Sequence, residues 1–501
     1  MYKLIKRLSK LFFVFSILSA ICLSVIFFQS CKQDFVNDPG NSAGFPSDIQ
    51  QIFNTPVSTN SITCTTPSCH ASGNNSRNLN LEDWQQTMNG SENGSMVIPY
   101  NGFWSHLISV VNTDTNYAPV ITITLPEYHK LDAQKVTTIM NWINSGAPNS
   151  NGQTAFNDVP INEKGFITNQ ASDLVAVINQ NTHQVLRLIP VGGRPNQLDA
   201  PHYITLSPDK KYFYVSLIQE GFIEKYDANT YVKLGRMAAD PSPAHIEVTP
   251  DGNIGFVTNF ESSGSVRTTT KFNTQTMTVI GTFSDPAMTG PHGMAMTRNG
   301  QTLFVASEIG EYLFKLSTQS FINDSTFIKS SIDPTVPPSG QGTGRFKPYQ
   351  IVLSPDEAYL FASCRGSNEV RVYNTSDLSQ VNAIQLGTNA YPLLMKITND
   401  GRFLFVCNRN NNTVSVINVA TQTLQTTISS VGIQPHGVDF TANGLFAIIA
   451  CETQSGFDGH HPQVGSTKLG VSRVIRVSDF TLSPTIKIEM GSFPAGITLV
   501  K

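Results

Sequence analysis

The sequence predicts a multidomain protein in which a small all-α domain precedes an all-β propeller of seven blades. Three observations predict it. From residue 163 onward the chain repeats one strand, turn, strand frame with seven starts; before residue 148 apolar residues recur at helical spacing; and 36 Gly and 28 Pro in 501 residues favour turns over long helices.

A chain of 501 residues exceeds one ordinary core, so two or three folding units are expected. The formal net charge of −3 supplies no basic face to displace phosphate counterions, which excludes a nucleic-acid partner as the expectation. At the start of the chain, Lys3, Lys6, Arg7 and Lys10 precede an apolar run from Leu11 to Phe28, the pattern of an export signal. The run ends in Phe28-Gln29-Ser30-Cys31. A small residue before a cysteine resembles the processing box of bacterial lipoproteins, although Phe28 stands where Leu is commoner. The resemblance implies a signal peptide over residues 1–31 and lipidation of Cys31. An uncleaved membrane-spanning anchor is the rival reading of the same run. Both place residues 32–501 outside the cytoplasmic membrane, as a cell-envelope protein facing the periplasm or the cell surface.

Residues 32–48 read as a polar tether, and a first domain is expected over 49–148. Its clearest helix runs from Asp132 to Ser145, where Val136, Ile139, Met140 and Ile143 share a face and Gly146 stops the helix. The Asn, Gly and Pro of residues 148–162 mark the boundary, and 163–501 is the predicted propeller.

The repeat frame begins with Pro201-His202, continues with Ala244-His245, Pro291-His292, Pro348-Tyr349, Pro392-Leu393 and Pro435-His436, and ends with Pro494-Ala495. Each of the first six starts an alternating strand, a tight turn such as Asp251-Gly252, and a second strand. Most starts are 43 to 57 residues apart, enough for a four-stranded antiparallel blade. Only one strand follows Pro494, whereas residues 165–190 supply further strands before the first start. Sharing one blade between the two ends closes the ring and removes open sheet edges. Asn408 to Thr423 and Phe256-Val257-Thr258-Asn259 resemble the YVTN family of propeller repeats, within the superfamily that includes nitrous oxide reductase and quinoprotein propellers. That resemblance covers about two thirds of the chain and implies the fold without fixing a function.

The sharpest chemical motif is Cys64-Thr-Thr-Pro-Ser-Cys69-His70. Attachment of a c-type haem needs two thiols and an adjacent imidazole on one short turn, ordinarily with two residues between the cysteines rather than the four found here. With Leu79-Asn80-Leu81, Val97-Ile98-Pro99 and the closing helix around Trp142, the segment resembles single-haem cytochrome c domains. The resemblance implies one covalent haem c on Cys64 and Cys69, with His70 as proximal iron ligand. A structural disulfide or half of a zinc site are the alternatives. Leu125-Pro126 stands where the family usually has Met-Pro, so the sixth ligand is open among Met96, His106 and His129.

His202, His245, His292 and His436 share one place in the frame above and are expected to gather at one mouth of the channel. Imidazoles converging from several strands suit copper or another transition metal. The arrangement resembles the propellers of nitrous oxide reductase and its relatives, although Tyr349, Leu393 and Ala495 break the ring. Hydrogen-bonded channel residues are the competing reading, and His460-His461 in an insertion of the sixth blade are candidate additional ligands. Cys364, Cys407 and Cys451 end second strands that lie too far apart for disulfides, so small buried thiols are expected. Together these features point to an exported electron-transfer protein whose propeller offers a redox site, with oxidoreductase activity, or a docking site for a redox partner or small electron donor or acceptor. A scaffold propeller with an accessory cytochrome and a lactonase-like hydrolase are the rivals.

Overall fold

The computed structural model describes residues 43–57, 62–67, 69–73, 76–92, 94–112, 129–260, 267–333, 335, 342–453 and 461–501. Cys31, the leader, Leu125-Pro126 and His460 lie outside the described residues.

Seven four-stranded antiparallel sheets form the seven blades of an all-β propeller. The innermost strands are Pro201–Leu206, Pro243–Val248, Pro291–Met296, Pro348–Leu353, Pro392–Ile397, Pro435–Phe440 and Pro494–Leu499, which define blades one to seven. The seventh closes as the sequence predicts. Its inner strand comes from the C-terminus and its other three from Lys164–Asn169, Leu174–Asn179 and Val185–Pro190, with Gly165 opposite Leu499 and Ile167 opposite Ile497.

One local device recurs in the turn that follows the inner strand. Asp or Asn two residues after a Ser or Thr accepts that hydroxyl, as in Thr249 to Asp251 at 2.6 Å, Thr398 to Asp400 at 2.7 Å and Thr441 to Asn443 at 2.7 Å. The residue after the Asp or Asn takes positive φ, which Gly252 and Gly401 tolerate at no steric cost. Blade faces are closed by aliphatic and aromatic side chains. Second strands such as Phe403–Asn408 are buried almost throughout, while outer strands such as Lys233–Ala238 face solvent.

Four α-helices occur among the described residues: α1 (Ser47–Asn54), α2 (Trp84–Met88), α3 (His106–Val111) and α4 (Ala133–Asn144). Asp132 caps α4 by accepting from Lys135 N, and Gly146 ends it at φ +107°. Phe45, Ile49, Phe53, Trp84, Ile108, Val136, Ile139 and Trp142 share one core, with both indoles anchored by hydrogen bonds to the carbonyls of Ala147 and Pro148. This helical region is fastened to blades six and seven. Ile98 and Trp104 enter a core with Ile448, Val474, Ile488 and Met490, Ser95 bonds Gln184 and Val185 N, and His106 Nδ1 meets Glu489 Oε2 at 2.7 Å. No helix among the described residues is long and apolar enough to cross a membrane.

Candidate functional site

Two groups of chemistry-bearing residues stand out. In the helical region, Cys64, Cys69 and His70 lie on one turn. His70 N donates to Cys64 O at 3.1 Å and Cys69 N to Thr66 O at 2.8 Å, so backbone hydrogen bonds tie the two ends of the wider spacing together. Both thiols are free and half-buried, and Cys64 packs against the core that contains Leu79 and Trp84. Burial pushes the Cys64 thiol up to about 11. Burial, with His129 nearby, lowers His70, so its imidazole is neutral with a lone pair to offer. Of the three residues open for the sixth position, His106 is committed to Glu489 on the propeller, and Met96 is buried in the helical core. His129 is the one whose charge His70 senses.

The second group sits at one mouth of the propeller and is set by strand register. The residue directly after each blade-opening proline points to this mouth: His202, Ala244, His292, Tyr349, Leu393, His436 and Ala495. A hydroxyl on the second strand of the preceding blade donates to the carbonyl of two of them: Thr168 Oγ1 to His202 O at 3.1 Å and Thr258 Oγ1 to His292 O at 2.6 Å. Glycine follows His292 and His436 because the neighbouring inner strand passes close. A Cβ on Gly293 would lie 2.7 Å from Tyr349 O, and one on Gly437 2.1 Å from Ala495 O.

This register corrects the repeat frame at His245. Pro243 aligns with Pro201 and Pro291, so Ala244 takes the place of His202 and His245 stands one residue further, beside Tyr203. Its ring nevertheless reaches the cluster. It stacks on Tyr203 at 4.1 Å between centroids and approaches His292 at 4.7 Å, and both of its nitrogens are buried without a hydrogen-bond partner. His202 is 5.3 Å from His292, 5.8 Å from His436 and 4.5 Å from His461, centroid to centroid. The histidines therefore do gather at one mouth, with His461 of the blade-six insertion added to the four of the repeat frame.

Four of these imidazoles, those of His202, His245, His292 and His461, are held neutral. Burial first, and then mutual repulsion, holds His202, His292 and His461 well below the ordinary histidine value, and burial lowers His245 to about 3. His292 Nδ1 donates to Tyr349 O at 3.0 Å, which leaves its Nε2 as an acceptor, 3.3 Å from His202 Nε2. His436 Nδ1 contacts Glu452 Oε1 at 2.9 Å, and Glu452 is held in turn by Arg409 at 2.7 Å.

A second ring, formed by the residue after each second strand, encloses the histidines and was not read from the sequence. It comprises Ile218, Phe260, Glu308, Arg365, Arg409, Glu452 and Gln170, all buried. One arc is apolar, with Phe260 5.2 Å from His292. The other holds two ion pairs, Arg365 with Glu308 and Arg409 with Glu452. Residue type varies from blade to blade here, so only counting from the blade-opening proline would have found it.

Further along the axis, the fifth position of the inner strands adds Glu247, Lys396 and Asp439, and Asp439 is bonded by Leu499 N and Lys501 Nζ, each at 2.9 Å. Burial raises the Glu247 carboxyl to about 7, against a pull downward from Lys396. The folded state thus keeps a proton that the unfolded chain releases near the ordinary carboxyl value. This contribution to stability is present in full at low pH and is lost as pH rises through about 7. Glu247→Gln is expected to flatten urea-unfolding stability between pH 5 and pH 8 by on the order of 1–3 kcal/mol relative to the parent. An unchanged pH profile would contradict the assignment.

The propeller cysteines are free and buried. Cys364 and Cys451 end their strands, but Cys407 stands one residue before the end of Phe403–Asn408, which corrects the expectation of a matching place in all three. Cys407 faces the same interblade core as Cys451.

Comparison with known proteins supports the propeller. The family described as Lactonase, 7-bladed beta-propeller, matches residues 269–433 and 394–458. A periplasmic gluconolactonase of Pseudomonas aeruginosa superimposes with a TM-score of 0.51 at 15% identity, over 67% of this chain and 98% of that one. A functionally unknown protein of Desulfotomaculum acetoxidans gives 0.51 at 14%, again over 67% and 98%, and a protein of Lactobacillus plantarum gives 0.51 at 16% over the same shares. At these identities the likeness is one of fold. The share of this chain that is covered is about the size of the propeller.

Proposed function

We propose that this is an exported, membrane-anchored electron-transfer protein in which the helical region carries one covalent haem c on Cys64 and Cys69, with His70 as proximal ligand. The propeller then offers a redox or partner-binding site. The observation that supports this reading best is the turn that holds two free thiols and a neutral imidazole together against an apolar core. Thioether attachment needs those three groups on one turn, and a bound haem needs apolar surface on which to lie. When bound, the haem supplies a one-electron iron couple. Cys64 and Cys69 would hold the group and His70 would be offered to its iron, while Ile98, Trp104 and the His106–Glu489 pair hold the helical region on blades six and seven. His129 is the favoured sixth ligand; histidine in place of methionine lowers the potential. Cys31 is the proposed lipid anchor.

The test is a visible spectrum of full-length protein matured in a host that attaches haem, before and after Cys69→Ser. We expect a c-type spectrum in the parent, and a large loss of covalently retained haem in the variant. A colourless parent from a host that matures a control cytochrome would overturn the reading.

A second reading, a lactonase-like hydrolase, is favoured by the family match and by the histidines, arginines and glutamates that line the mouth. It predicts acid release from gluconolactone above the spontaneous rate, lost in Arg365→Ala. Absence of that excess leaves the electron-transfer reading in place.

A further inference from the structure

We infer that the propeller mouth is a mononuclear metal site in which Nε2 of His202, Nε2 of His292 and one ring nitrogen of His461 hold a single first-row divalent transition-metal ion. This inference is independent of the haem. Its ligands come from three places in the chain, the inner strands of blades one and three and the insertion of blade six, and their nitrogens lie within 4.8 Å of one another.

Three features favour an ion over a hydrogen-bonded histidine cluster. The first is spacing. Two imidazole nitrogens bound at about 2.0–2.1 Å to a tetrahedral ion lie roughly 3.3–3.4 Å apart, and His202 Nε2 and His292 Nε2 are 3.3 Å apart.

The second feature is orientation. Metal-bound histidines characteristically donate their other nitrogen to a carbonyl or carboxylate, which fixes the tautomer. His292 Nδ1 does so to Tyr349 O. The neighbouring His436 is held in the same manner by Glu452, itself clamped by Arg409.

The third feature is burial. His245 is 1% exposed and neither of its ring nitrogens has a hydrogen-bond partner. Each such orphan costs about 1–3 kcal/mol, a penalty that a water or hydroxide ligand on the ion beside His292 would offset.

The charge balance says what completes the coordination. The three ligands are neutral, and the nearest carboxylates, Glu308 and Glu452, are already neutralised by Arg365 and Arg409. A divalent ion here would carry an uncompensated buried charge, so the open position takes hydroxide or another small anion. His245, with its ring centroid 4.7 Å from that of His292, is the group placed to hydrogen-bond this ligand.

The test uses untagged full-length protein, stripped with a chelator and titrated separately with Cu(II), Zn(II) and Co(II), with haem iron counted independently. One equivalent of metal per chain is expected in addition to haem, with Cu(II) bound most tightly by the usual order of stabilities. Nitrogen hyperfine structure should appear in the copper electron-spin resonance spectrum. His292→Ala and His461→Ala should each weaken binding by at least about 100-fold, since even the loss of an outer partner costs 10–100-fold. His183→Gln, in a turn of blade seven, should leave affinity unchanged. Should His292→Ala fail to fold, His461→Ala still decides the matter, because its residue belongs to an insertion and not to a blade strand. Failure of the parent to compete with the chelator for any of the three ions, or full retention of binding by His461→Ala, would overturn the site.

Discussion

Deletion of residues 494–501 is expected to abolish folding of the whole propeller, because this segment is the inner strand of blade seven. It pairs with Lys164–Asn169, and its loss would open the ring between blades six and one. Ile497, Leu499 and Val500 are buried, at about 1.5–3 kcal/mol each. The segment also satisfies distant groups: Gln180 Nε2 donates to Val500 O at 2.8 Å, Leu499 N donates to Asp439, and Gly496 N donates to Thr168 Oγ1 at 2.8 Å. The lost burial alone amounts to roughly 5–9 kcal/mol, comparable with the whole stability of a typical domain. Soluble yield, far-ultraviolet circular dichroism and limited proteolysis against the full chain measure the effect. A truncated protein with the parent's dichroism and protease resistance would show that closure is not what holds the ring.

Arg365→Ala is expected to produce the largest loss of any single substitution at the mouth. Arg365 pairs with Glu308 and donates to Tyr391 Oη at 2.7 Å, and both ionic partners are buried. Removal of the guanidinium leaves a carboxylate in a site where burial already raises its pKa. Breaking one partner of such a pair costs about 3–5 kcal/mol, because the remaining charge is stranded. Replacing both, as in Arg365→Met with Glu308→Leu, is expected to recover most of that stability, since the desolvation penalty disappears with the charges. Denaturant unfolding of the parent, single and double variants checks this. A single variant within about 0.5 kcal/mol of the parent, the range of an ordinary surface change, would contradict it.

The propeller was legible in the sequence because its signals are periodic. Each blade repeats a proline and an alternating strand, four of them follow it with an Asp-Gly or Asn-Gly turn, and the incomplete last repeat announces closure at the ends. The mouth was only partly legible. His202, His292 and His436 follow the blade-opening proline and so share a register, but His245 was matched by residue type when Pro243 sets the frame. The same reliance on type placed Cys407 with Cys364 and Cys451, although it stands one residue earlier in its strand. His461 enters from an insertion outside the repeat, where periodicity says nothing of direction. The ring of Glu308, Arg365, Arg409 and Glu452 escaped notice because position is repeated there while chemistry is not. In the helical region, short-range spacing singles out Cys64, Cys69 and His70 as the candidate haem-attachment residues. The fate of His106 depended on a contact with Glu489, 383 residues away, which no local pattern contains.

The most direct measurement of the central claim is the mass of the peptide spanning Cys64 to His70, released by proteolysis from full-length protein matured in a haem-attaching host. Two thioether bonds predict that this peptide carries the mass of one haem and keeps its absorbance under denaturing conditions. The unmodified peptide with two free thiols, or with a disulfide between Cys64 and Cys69, from a host that matures a control cytochrome would contradict it.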